Sequence, residues 1–297
     1  MVLVTYNCAD WVGRCLDALP AALAGRSAEV VVVDNASVDG SVAAVLRHPD
    51  VDLLTNERNV GFAAAVNQGV RASSAPWVLL LNPDTDPRPG SLDALVAFAE
   101  ANPMHLVYGG RTLTEDGAVE PSSCWGLPSV WSTLCFALGL NTVFQGSRVF
   151  DPESLGGWRR DTVREVGMVT GCLLLIPRST WDALDGLDEQ FFVYGEDADL
   201  SARARAIGAR PIITPSAEIV HAVGVSASSS KLPLLLAGKI TYARRHFPGR
   251  RAGLVVSLLR IGAGVRALGS RALRRETIWT AAWQRRGEWW DGFPARA

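Results

Sequence analysis

The first third of the chain alternates short apolar runs with segments of helical periodicity. The apolar runs predict four buried strands, at residues 2–6, 29–34, 51–55 and 77–81. The periodic segments predict helices that follow these strands, at residues 11–24, 41–47, 61–72 and 91–100. Strands that are apolar throughout and alternate with helices are typical of a parallel, doubly wound α/β sheet.

Beyond residue 106 the pattern loosens, and frequent Gly, Pro, Ser and Trp indicate long loops as far as residue 160. Strands are then predicted at residues 162–177 and 211–214, and helices at residues 179–184 and 196–207. A small-polar linker is predicted at residues 226–230, and basic, amphipathic helices complete the chain. The sequence therefore predicts an α/β sheet with a C-terminal helical extension.

Polar residues follow each of the four predicted N-terminal strands. They are Asn7, Asp34 with Asn35, residues 56–59, and Asn82 with Asp84. Ligands of open α/β sheets bind beyond the carboxyl ends of the strands. Asn and Asp also form ordinary turns, which is the alternative at any one strand end. The recurrence at all four ends predicts a ligand site along this edge.

Charge is unevenly distributed along the 297 residues, although the formal net charge is only −1. Residues 231–297 hold 14 Lys and Arg against three Asp and Glu, and four of the ten Trp. This asymmetry predicts a basic, aromatic tail that faces an anionic surface. An apolar stretch at residues 252–269 is interrupted by Arg260 and Arg266, so no membrane-spanning helix is predicted.

The five cysteines form no CxxC pair and are odd in number. They are therefore predicted to be free thiols in a reducing cytosol, with a disulfide framework as the alternative. No secretory signal is recognisable, since the apolar run at residues 2–6 is far too short.

Three positions carry candidate chemistry. Asp84 ends a buried strand, where its carboxylate could hold a divalent cation on a diphosphate; an Asx-turn is the alternative. A predicted helix begins with three carboxylates, Glu196, Asp197 and Asp199, and Asp197 could act there as a catalytic base. The alternatives are that these carboxylates cap the helix, or that Asp199 pairs with Arg203 on the surface. His221 follows an apolar run and is either a packed core residue or a second metal ligand.

Several of these pieces, in order along about 220 residues, resemble glycosyltransferase family 2 and its GT-A fold. The matching segments are residues 4–7, 33–41, 59–69 and 80–85, then Gly171, residues 195–200 and His221. This resemblance implies a nucleotide-sugar-binding half at residues 1–110, a catalytic and acceptor-binding half at residues 111–230, and a basic amphipathic helical tail at residues 231–297.

The resemblance also implies residue roles. Seven residues are expected to line the nucleotide site, with Asp34 on the pyrimidine: Thr5, Asn7, Asp34, Asn59, Gly61, Asn67 and Asn82. Asp84 and His221 are expected to hold Mg²⁺ or Mn²⁺, Asp197 to be the catalytic base, and Glu196 and Gly171 to lie near the acceptor. Asn82 replaces the first carboxylate of the DxD metal motif, a form similar to the rhamnosyltransferase-like branch.

That branch implies transfer of L-rhamnose from dTDP-rhamnose, with inversion, to a hydroxyl of a polyprenyl-diphosphate-linked sugar in cell-wall or surface-polysaccharide biosynthesis. The alternatives are a UDP-sugar donor or a non-catalytic sugar- or lipid-binding protein. A nucleotidyltransferase fits less well, since the first strand is followed by no Gly-rich basic loop. The tail predicts a peripheral place on the inner face of the cell membrane, with an ordinary docked helical pair as the alternative; nucleic acid is not an expected partner.

Overall fold

The computed structural model describes residues 1–221 and 231–295, so the predicted linker at residues 226–230 lies outside the described residues. The described chain divides into two compact units. The first comprises Met1–Trp125, Arg159–Asp188 and residues 200–221. The second comprises Gly126–Trp158, Glu189–Asp199 and residues 231–295. The three functional segments expected from the sequence stay a prediction.

The strands are β1 (Val2–Thr5), β2 (Val31–Asp34), β3 (Asp52–Thr55), β4 (Trp77–Leu81), β5 (Thr85–Pro87), β6 (Tyr108–Leu113), β7 (Val119–Glu120), β8 (Cys124–Trp125), β9 (Arg164–Glu165), β10 (Met168–Val169), β11 (Leu173–Pro177) and β12 (Ile212–His221). The helices are α1 (Ala9–Leu23), α2 (Ser41–Val45), α3 (Phe62–Arg71), α4 (Ser91–Ala101), α5 (Val130–Ala137), α6 (Leu140–Val143), α7 (Arg178–Ala183), α8 (Glu196–Ala206), α9 (Lys231–His246), α10 (Arg250–Ala272) and α11 (Ile278–Gln284).

The main sheet has the strand order β3-β2-β1-β4-β11-β6-β12-β5, with β7 beside β6 and β9 beside β12. Strand β1 lies parallel to β2 and β4, β2 lies parallel to β3, and β6 lies parallel to β12. Strand β11 runs antiparallel between β4 and β6, and β5 runs antiparallel to β12. The predicted α/β class with parallel N-terminal strands is confirmed.

The predicted strand at residues 162–177 is wrong as a single element. The segment instead forms β9, β10 and β11, and β10 pairs with β8 outside the main sheet. The Thr170 backbone N–H donates to the Ser123 carbonyl, and the Thr170 hydroxyl donates to the Ser122 carbonyl. These bonds draw the chain toward residues 122–125 before it rejoins the sheet as β11.

Strand β12 extends well beyond the predicted residues 211–214 and ends at His221. Its register against β6 shifts between Ile213 and Glu218. This irregularity includes Pro215 and Ser216, and it moves the alternation of side chains between the two faces out of phase. The sequence pattern therefore does not show that the strand continues. The extension brings His221 opposite Thr85 of β5.

The apolar core of the first unit lies between the sheet and helices α1, α2 and α4. Its fully buried members include Leu3, Val12, Val32, Leu95 and Leu173. All five cysteines of the chain are free, as predicted. Burial, partly offset by the hydrogen bond with Thr85, raises the pKa of the Cys15 thiol to about 12, so this side chain is an apolar filler.

The second unit contains a separate core formed by helices α9, α10 and α11 with side chains of α5. Trp289 is fully buried there, and Trp279, Trp283 and Trp290 pack around this core. The expectation that the tail tryptophans lie at a membrane surface is therefore wrong for Trp289. The rings of Trp283, Trp289 and Trp290 instead pack against one another in tilted and edge-to-face arrangements, with centroid separations of 5.7–6.2 Å.

Candidate active site

The carboxyl ends of β1 and β2 present two buried polar atoms without a hydrogen-bond partner among the described residues. They are the Thr5 hydroxyl oxygen and Oδ1 of Asp34. The second oxygen of Asp34 accepts a hydrogen bond of 3.0 Å from the Ser37 backbone N–H. Because buried polar groups are normally satisfied, such atoms at the ligand edge of the sheet point to a polar ligand.

Asn7 joins the loop after β1 to the loop after β2. Its backbone N–H donates to the Ser37 hydroxyl, and its side-chain oxygen accepts from the Val38 N–H, both at 2.9 Å. Its backbone has a φ of 52°, in the left-handed region that Asn tolerates better than most residues. The structure thus places Asn7 beside Asp34, where it shapes the predicted nucleotide site.

Asn35 connects the loops after β2 and β3. Its amide nitrogen donates to Asn59 Oδ1 at 2.9 Å and to the Gly61 carbonyl at 3.3 Å. Its oxygen accepts from the Asn56 side chain and from the Val60 N–H. Asn59 also accepts from the Gly61 N–H, so its amide oxygen holds the entry to α3. The Asn-rich strand ends therefore form one hydrogen-bonded set.

Asn67, Gly171 and Asn82 occupy three different settings in the first unit. The Asn67 side chain donates to the Leu187 carbonyl at 2.8 Å and accepts from the Leu187 backbone N–H at 3.0 Å. These two hydrogen bonds favour a structural role for Asn67. A Cβ added at Gly171 would lie 3.4 Å from the ring of Phe62, the first residue of α3. The Asn82 carbonyl accepts from the Thr85 hydroxyl at 2.6 Å, which fixes the turn before Asp84.

The sheet brings Asp84 and His221 together, although 136 intervening residues separate them in sequence. Asp84 immediately precedes β5, and His221 ends β12, which pairs with β5. His221 Nε2 lies 3.4 Å from Asp84 Oδ2, and each side chain is about one-fifth exposed. The two predicted metal ligands therefore lie at one place on the sheet edge.

Glu120 faces the other nitrogen of the same ring. Its Oε2 lies 3.7 Å from His221 Nδ1, which is an ion-pair distance. Burial alone would lower the pKa of His221, but the interactions of the ring with the carboxylates of Asp84 and Glu120 outweigh burial and raise the pKa from 6.5 to about 9. The imidazole is therefore held between two carboxylates.

The Asp84–His221 pair fits a divalent cation in its chemistry, since one carboxylate oxygen and one imidazole nitrogen suit Mn²⁺ and tolerate Mg²⁺. Within residues 1–221 and 231–295, no three His, Cys, Asp or Glu side chains are grouped to hold a metal unaided. A cation bound by this pair would therefore complete its coordination with oxygens of a ligand such as a diphosphate, and with water.

The acidic segment at the start of α8 belongs to the second unit. Asp197 is half-buried, and its Oδ1 accepts a 2.8 Å hydrogen bond from the Ala198 N–H. Glu196 is buried, and its Oε2 has no hydrogen-bond partner among the described residues. Burial, together with the charges of Asp197 and Asp199, raises the pKa of Glu196 well above 4.5. The neighbouring carboxyls Glu196 and Asp197 therefore have distinct environments.

Helix α9 supports this acidic segment. Asp199 is fully buried and accepts from His246 Nε2 at 2.8 Å, with Arg245 Nε at 3.0 Å. A Cβ added at Gly238 would lie 2.0 Å from the Tyr194 carbonyl oxygen, so α9 packs directly on the backbone before Glu196. Asp199 is therefore a buried, paired carboxylate, and a simple surface pair with Arg203 does not describe it.

The sequence places Asn35 among the polar strand ends of the predicted ligand edge, but it assigns this residue no role of its own. Glu120 is the site residue that the sequence analysis missed. No sequence signal indicates Glu120, because it lies in a loosely patterned segment and β7 is only two residues long. Its position follows from the pairing of Glu120 with Thr112 on β6.

Comparison with known proteins decides the family. The model of the family described as "Glycosyl transferase family 2" matches residues 1–166. The chain belongs to glycosyltransferase family 2. The family assignment confirms that the protein is a glycosyltransferase.

Among the similar sequences, the N-acetylglucosaminyl-diphospho-decaprenol L-rhamnosyltransferase of Mycobacterium tuberculosis is 33% identical over 240 residues, covering 74% of this chain and 75% of that protein. The succinoglycan biosynthesis protein ExoO of Rhizobium meliloti is 36% identical over 102 residues, covering 34% of this chain and 29% of that protein. This family 2 chain is thus rhamnosyltransferase-like, as expected.

Among solved structures, the mannosyltransferase PcManGT of Pyrobaculum calidifontis, in complex with GDP-Man and Mn²⁺, superposes with a TM-score of 0.56. The match has 20% identity and covers 96% of this chain and 78% of that one. At this identity the likeness concerns the fold, and it bears out the expected GT-A class.

Proposed function

We propose that this family 2 enzyme transfers L-rhamnose from dTDP-rhamnose, with inversion, to a hydroxyl of GlcNAc linked to a polyprenyl diphosphate, in cell-wall or surface-polysaccharide biosynthesis. The observation that carries the proposal is the 33% identity over 240 residues to a transferase whose name specifies L-rhamnose and a decaprenyl-diphosphate-linked GlcNAc. That match covers three-quarters of each of the two proteins.

The donor nucleotide occupies the edge formed by the ends of β1 and β2. Support comes from two buried oxygens, Thr5 Oγ1 and Asp34 Oδ1, which have no hydrogen-bond partner among the described residues and can form hydrogen bonds with a pyrimidine base. Asn7, Asn59 and Gly61 define the loops around that edge through hydrogen bonds to neighbouring residues. Asn82 directly follows β4, the neighbour of β1 in the sheet.

A divalent cation, Mn²⁺ or Mg²⁺, supplies charge neutralisation for the departing diphosphate when it is bound. Asp84 and His221 would hold it, since Asp84 Oδ2 and His221 Nε2 are 3.4 Å apart and each side chain is about one-fifth exposed. Because these two groups leave most coordination positions open, the cation binds best together with the nucleotide diphosphate.

Asp197 accepts the proton of the acceptor hydroxyl, and the resulting nucleophile attacks the anomeric carbon opposite the diphosphate, which inverts its configuration. Two features support Asp197 over its neighbours. Its side chain is more exposed than those of Glu196 and Asp199, and Asp199 is already paired with His246. Glu196 and Gly171 remain the candidates for acceptor contacts.

The enzyme works on the inner face of the cell membrane, where a lipid-linked acceptor is found, and attaches there through its helical tail. Support comes from α10, which exposes an apolar stripe formed by Leu254, Ile261, Val265 and Leu268. Exposed arginines flank the stripe at both ends, at positions 250, 251, 271, 274 and 275. An apolar face with basic ends suits an anionic lipid surface.

Length and composition would also allow α10 to cross a membrane, and 39% of its most apolar window is buried. A lateral placement is favoured by the two arginines within the helix. Arg260 donates to the Trp290 carbonyl at 2.6 Å, and Arg266 donates to the Phe136 carbonyl at 2.7 Å. Both charges thus belong to the helical core of the second unit.

The decisive experiment measures nucleotide release from a panel of sugar nucleotides, with Mn²⁺, with Mg²⁺ and with EDTA, in the presence of a short polyprenyl-diphosphate-GlcNAc acceptor. We expect metal-dependent release of dTDP from dTDP-rhamnose, with a matching rhamnosylated product of inverted anomeric configuration. Preference for a UDP-sugar would keep the family and discard this donor. Absence of transfer from every donor would favour a non-catalytic sugar- or lipid-binding protein.

A further inference from the structure

Glu120 occupies a position that the proposed chemistry above does not use. It ends the short strand β7, which pairs with β6, and β6 in turn pairs with β12. The side chain is only 14% exposed, and it faces His221. A carboxylate in such a place is costly to bury unless it has a charged or hydrogen-bonding partner.

The geometry separates the two nitrogens of the His221 ring by function. Nε2 faces Asp84, so this nitrogen and the Asp84 carboxylate mark the side on which a cation can bind. Nδ1 is buried and makes no hydrogen bond to any of the described residues. The carboxylate that faces Nδ1 belongs to Glu120, whose Oε2 lies 3.7 Å from this nitrogen. Since the two nitrogens point in different directions, Glu120 cannot share a cation held between Asp84 and Nε2.

Glu120 is itself fixed in place. Its Oε2 accepts hydrogen bonds from the backbone N–H and the hydroxyl of Ser122, at the start of the 3₁₀ turn Pro121–Ser123. Ser122 therefore holds the Glu120 carboxylate with Oε2 3.7 Å from Nδ1. Metal-binding histidines commonly donate their second ring N–H to a carboxylate, which sets the tautomer and the orientation of the ring.

We propose that Glu120 is a positioning residue for the metal site: in the metal-bound protein it accepts a hydrogen bond from Nδ1–H of His221 and so presents Nε2 as the ligating nitrogen. This inference rests on the proposed metal-dependent function. It assigns to Glu120 an effect on cation affinity, separate from any contact with donor or acceptor.

The test measures Mn²⁺ binding to the full-length protein by the EPR signal of free Mn²⁺, with and without dTDP. Glu120→Ala is compared with Glu120→Gln and with Glu115→Gln, an exposed position of the same hairpin. We expect Glu120→Ala to weaken Mn²⁺ binding by about 10- to 100-fold. Glu120→Gln keeps an oxygen acceptor and should lose less, and Glu115→Gln should bind like the unmodified protein.

A readout specific to the histidine completes the design. Pulsed EPR detects the nitrogen coupling between bound Mn²⁺ and the imidazole, and this coupling should weaken in Glu120→Ala even when excess Mn²⁺ fills the site. Unchanged Mn²⁺ affinity and unchanged nitrogen coupling in a folded Glu120→Ala protein would overturn the inference.

Asp84→Asn separates this failure from failure of the proposed function. If Asp84→Asn abolishes Mn²⁺ binding while Glu120→Ala leaves it intact, only the positioning role is lost. If Asp84→Asn binds Mn²⁺ normally, or if the unmodified protein binds none with dTDP present, the metal site itself is wrong and the inference falls with it.

Discussion

Asp197 is the residue on which the proposed transfer chemistry depends most directly. Asp197→Asn keeps the size and hydrogen-bonding shape of the side chain but removes its capacity to accept a proton. We expect a folded protein with unchanged donor affinity and a transfer rate lower by about 100- to 10,000-fold. The measurements are dTDP-rhamnose binding by calorimetry and single-turnover transfer to the lipid-linked acceptor.

The matched control for this prediction is Asp182→Asn, an exposed aspartate on α7. It makes the same chemical change outside the acidic segment of α8 and should transfer sugar at the unmodified rate. Near-normal turnover by Asp197→Asn would show that another group removes the proton.

Glu196 gives a pH-dependent prediction at the same scale. Burial, with the charges of Asp197 and Asp199, raises its pKa in the folded protein well above 4.5. Above pH 4.5 the unfolded chain therefore releases this proton more readily than the folded one, and the native state loses stability as pH rises toward the folded pKa. Glu196→Gln carries no proton to release, so it escapes this loss.

The stability difference between Glu196→Gln and the unmodified protein should therefore shift in favour of Gln from pH 4 to pH 7.5. Urea unfolding at both pH values measures it, and comparing the two removes any constant effect of the buried amide. A difference that stays the same at both pH values would mean that Glu196 ionises normally in the folded protein.

At the scale of elements, helix α9 acts as the support for the acidic start of α8. A Cβ added at Gly238 would overlap the Tyr194 carbonyl oxygen, 2.0 Å away, and that oxygen belongs to the backbone. Gly238→Ala should therefore displace the segment before Glu196, destabilise the protein by about 1–3 kcal/mol or more, and reduce transfer. Thermal unfolding and the transfer rate measure the two effects.

Gly253→Ala in α10 is the matched control, because an added Cβ there meets nothing within 4 Å. The same substitution in an open helical position should stabilise the protein by about 1 kcal/mol through helix propensity. If both variants behave alike, the close packing of α9 on Tyr194 does not contribute to the acidic segment.

Elements set by local pattern could be predicted from the sequence, and elements set by distant pairing could not. The ends of β1, β2 and β4 follow from continuous apolar runs, so the sequence pattern predicts Asn7, Asp34 and Asp84 at the sheet edge. Strand β7 has two residues and exists because β6 pairs with it, so nothing in the local pattern indicates Glu120. Register over such distances depends on the folded sheet.

In the tail, the sequence likewise does not show which tryptophan side chains are buried. Its basic charge and its tryptophans together predicted a membrane-facing segment, but composition does not tell a ring that faces lipid from one that packs on another ring. Trp289 is fully buried and donates its indole N–H to the Ala282 carbonyl at 2.8 Å. The exposed apolar stripe belongs to α10 instead, because α5 and α11 cover its other faces.

At the scale of the whole molecule, removing the tail is a poor test of membrane attachment. A chain that ends near residue 230 loses Arg245 and His246, which are both partners of the buried Asp199 carboxylate. It also loses the packing of Gly238 on Tyr194. Loss of membrane binding in such a chain could reflect damage to the acidic segment, so surface variants of the complete chain are the better probe.

The surface variant Ile261→Asp/Val265→Asp places two negative charges on the middle of the exposed stripe, where both side chains are more than half exposed. We expect it to fold and to transfer sugar to a soluble acceptor analogue at the unmodified rate, but to float poorly with vesicles containing phosphatidylglycerol. Both the apolar contact and the attraction of the flanking arginines for anionic lipid are weakened.

The control, Leu46→Asp/Met104→Asp, makes the same change at two exposed positions of the first unit and should float normally. Because attraction between exposed charges is screened by salt, flotation of the unmodified protein should also fall as ionic strength rises. Normal flotation of both double variants would show that the exposed stripe of α10 does not contact the membrane, and would leave the tail with its packing roles in the second unit.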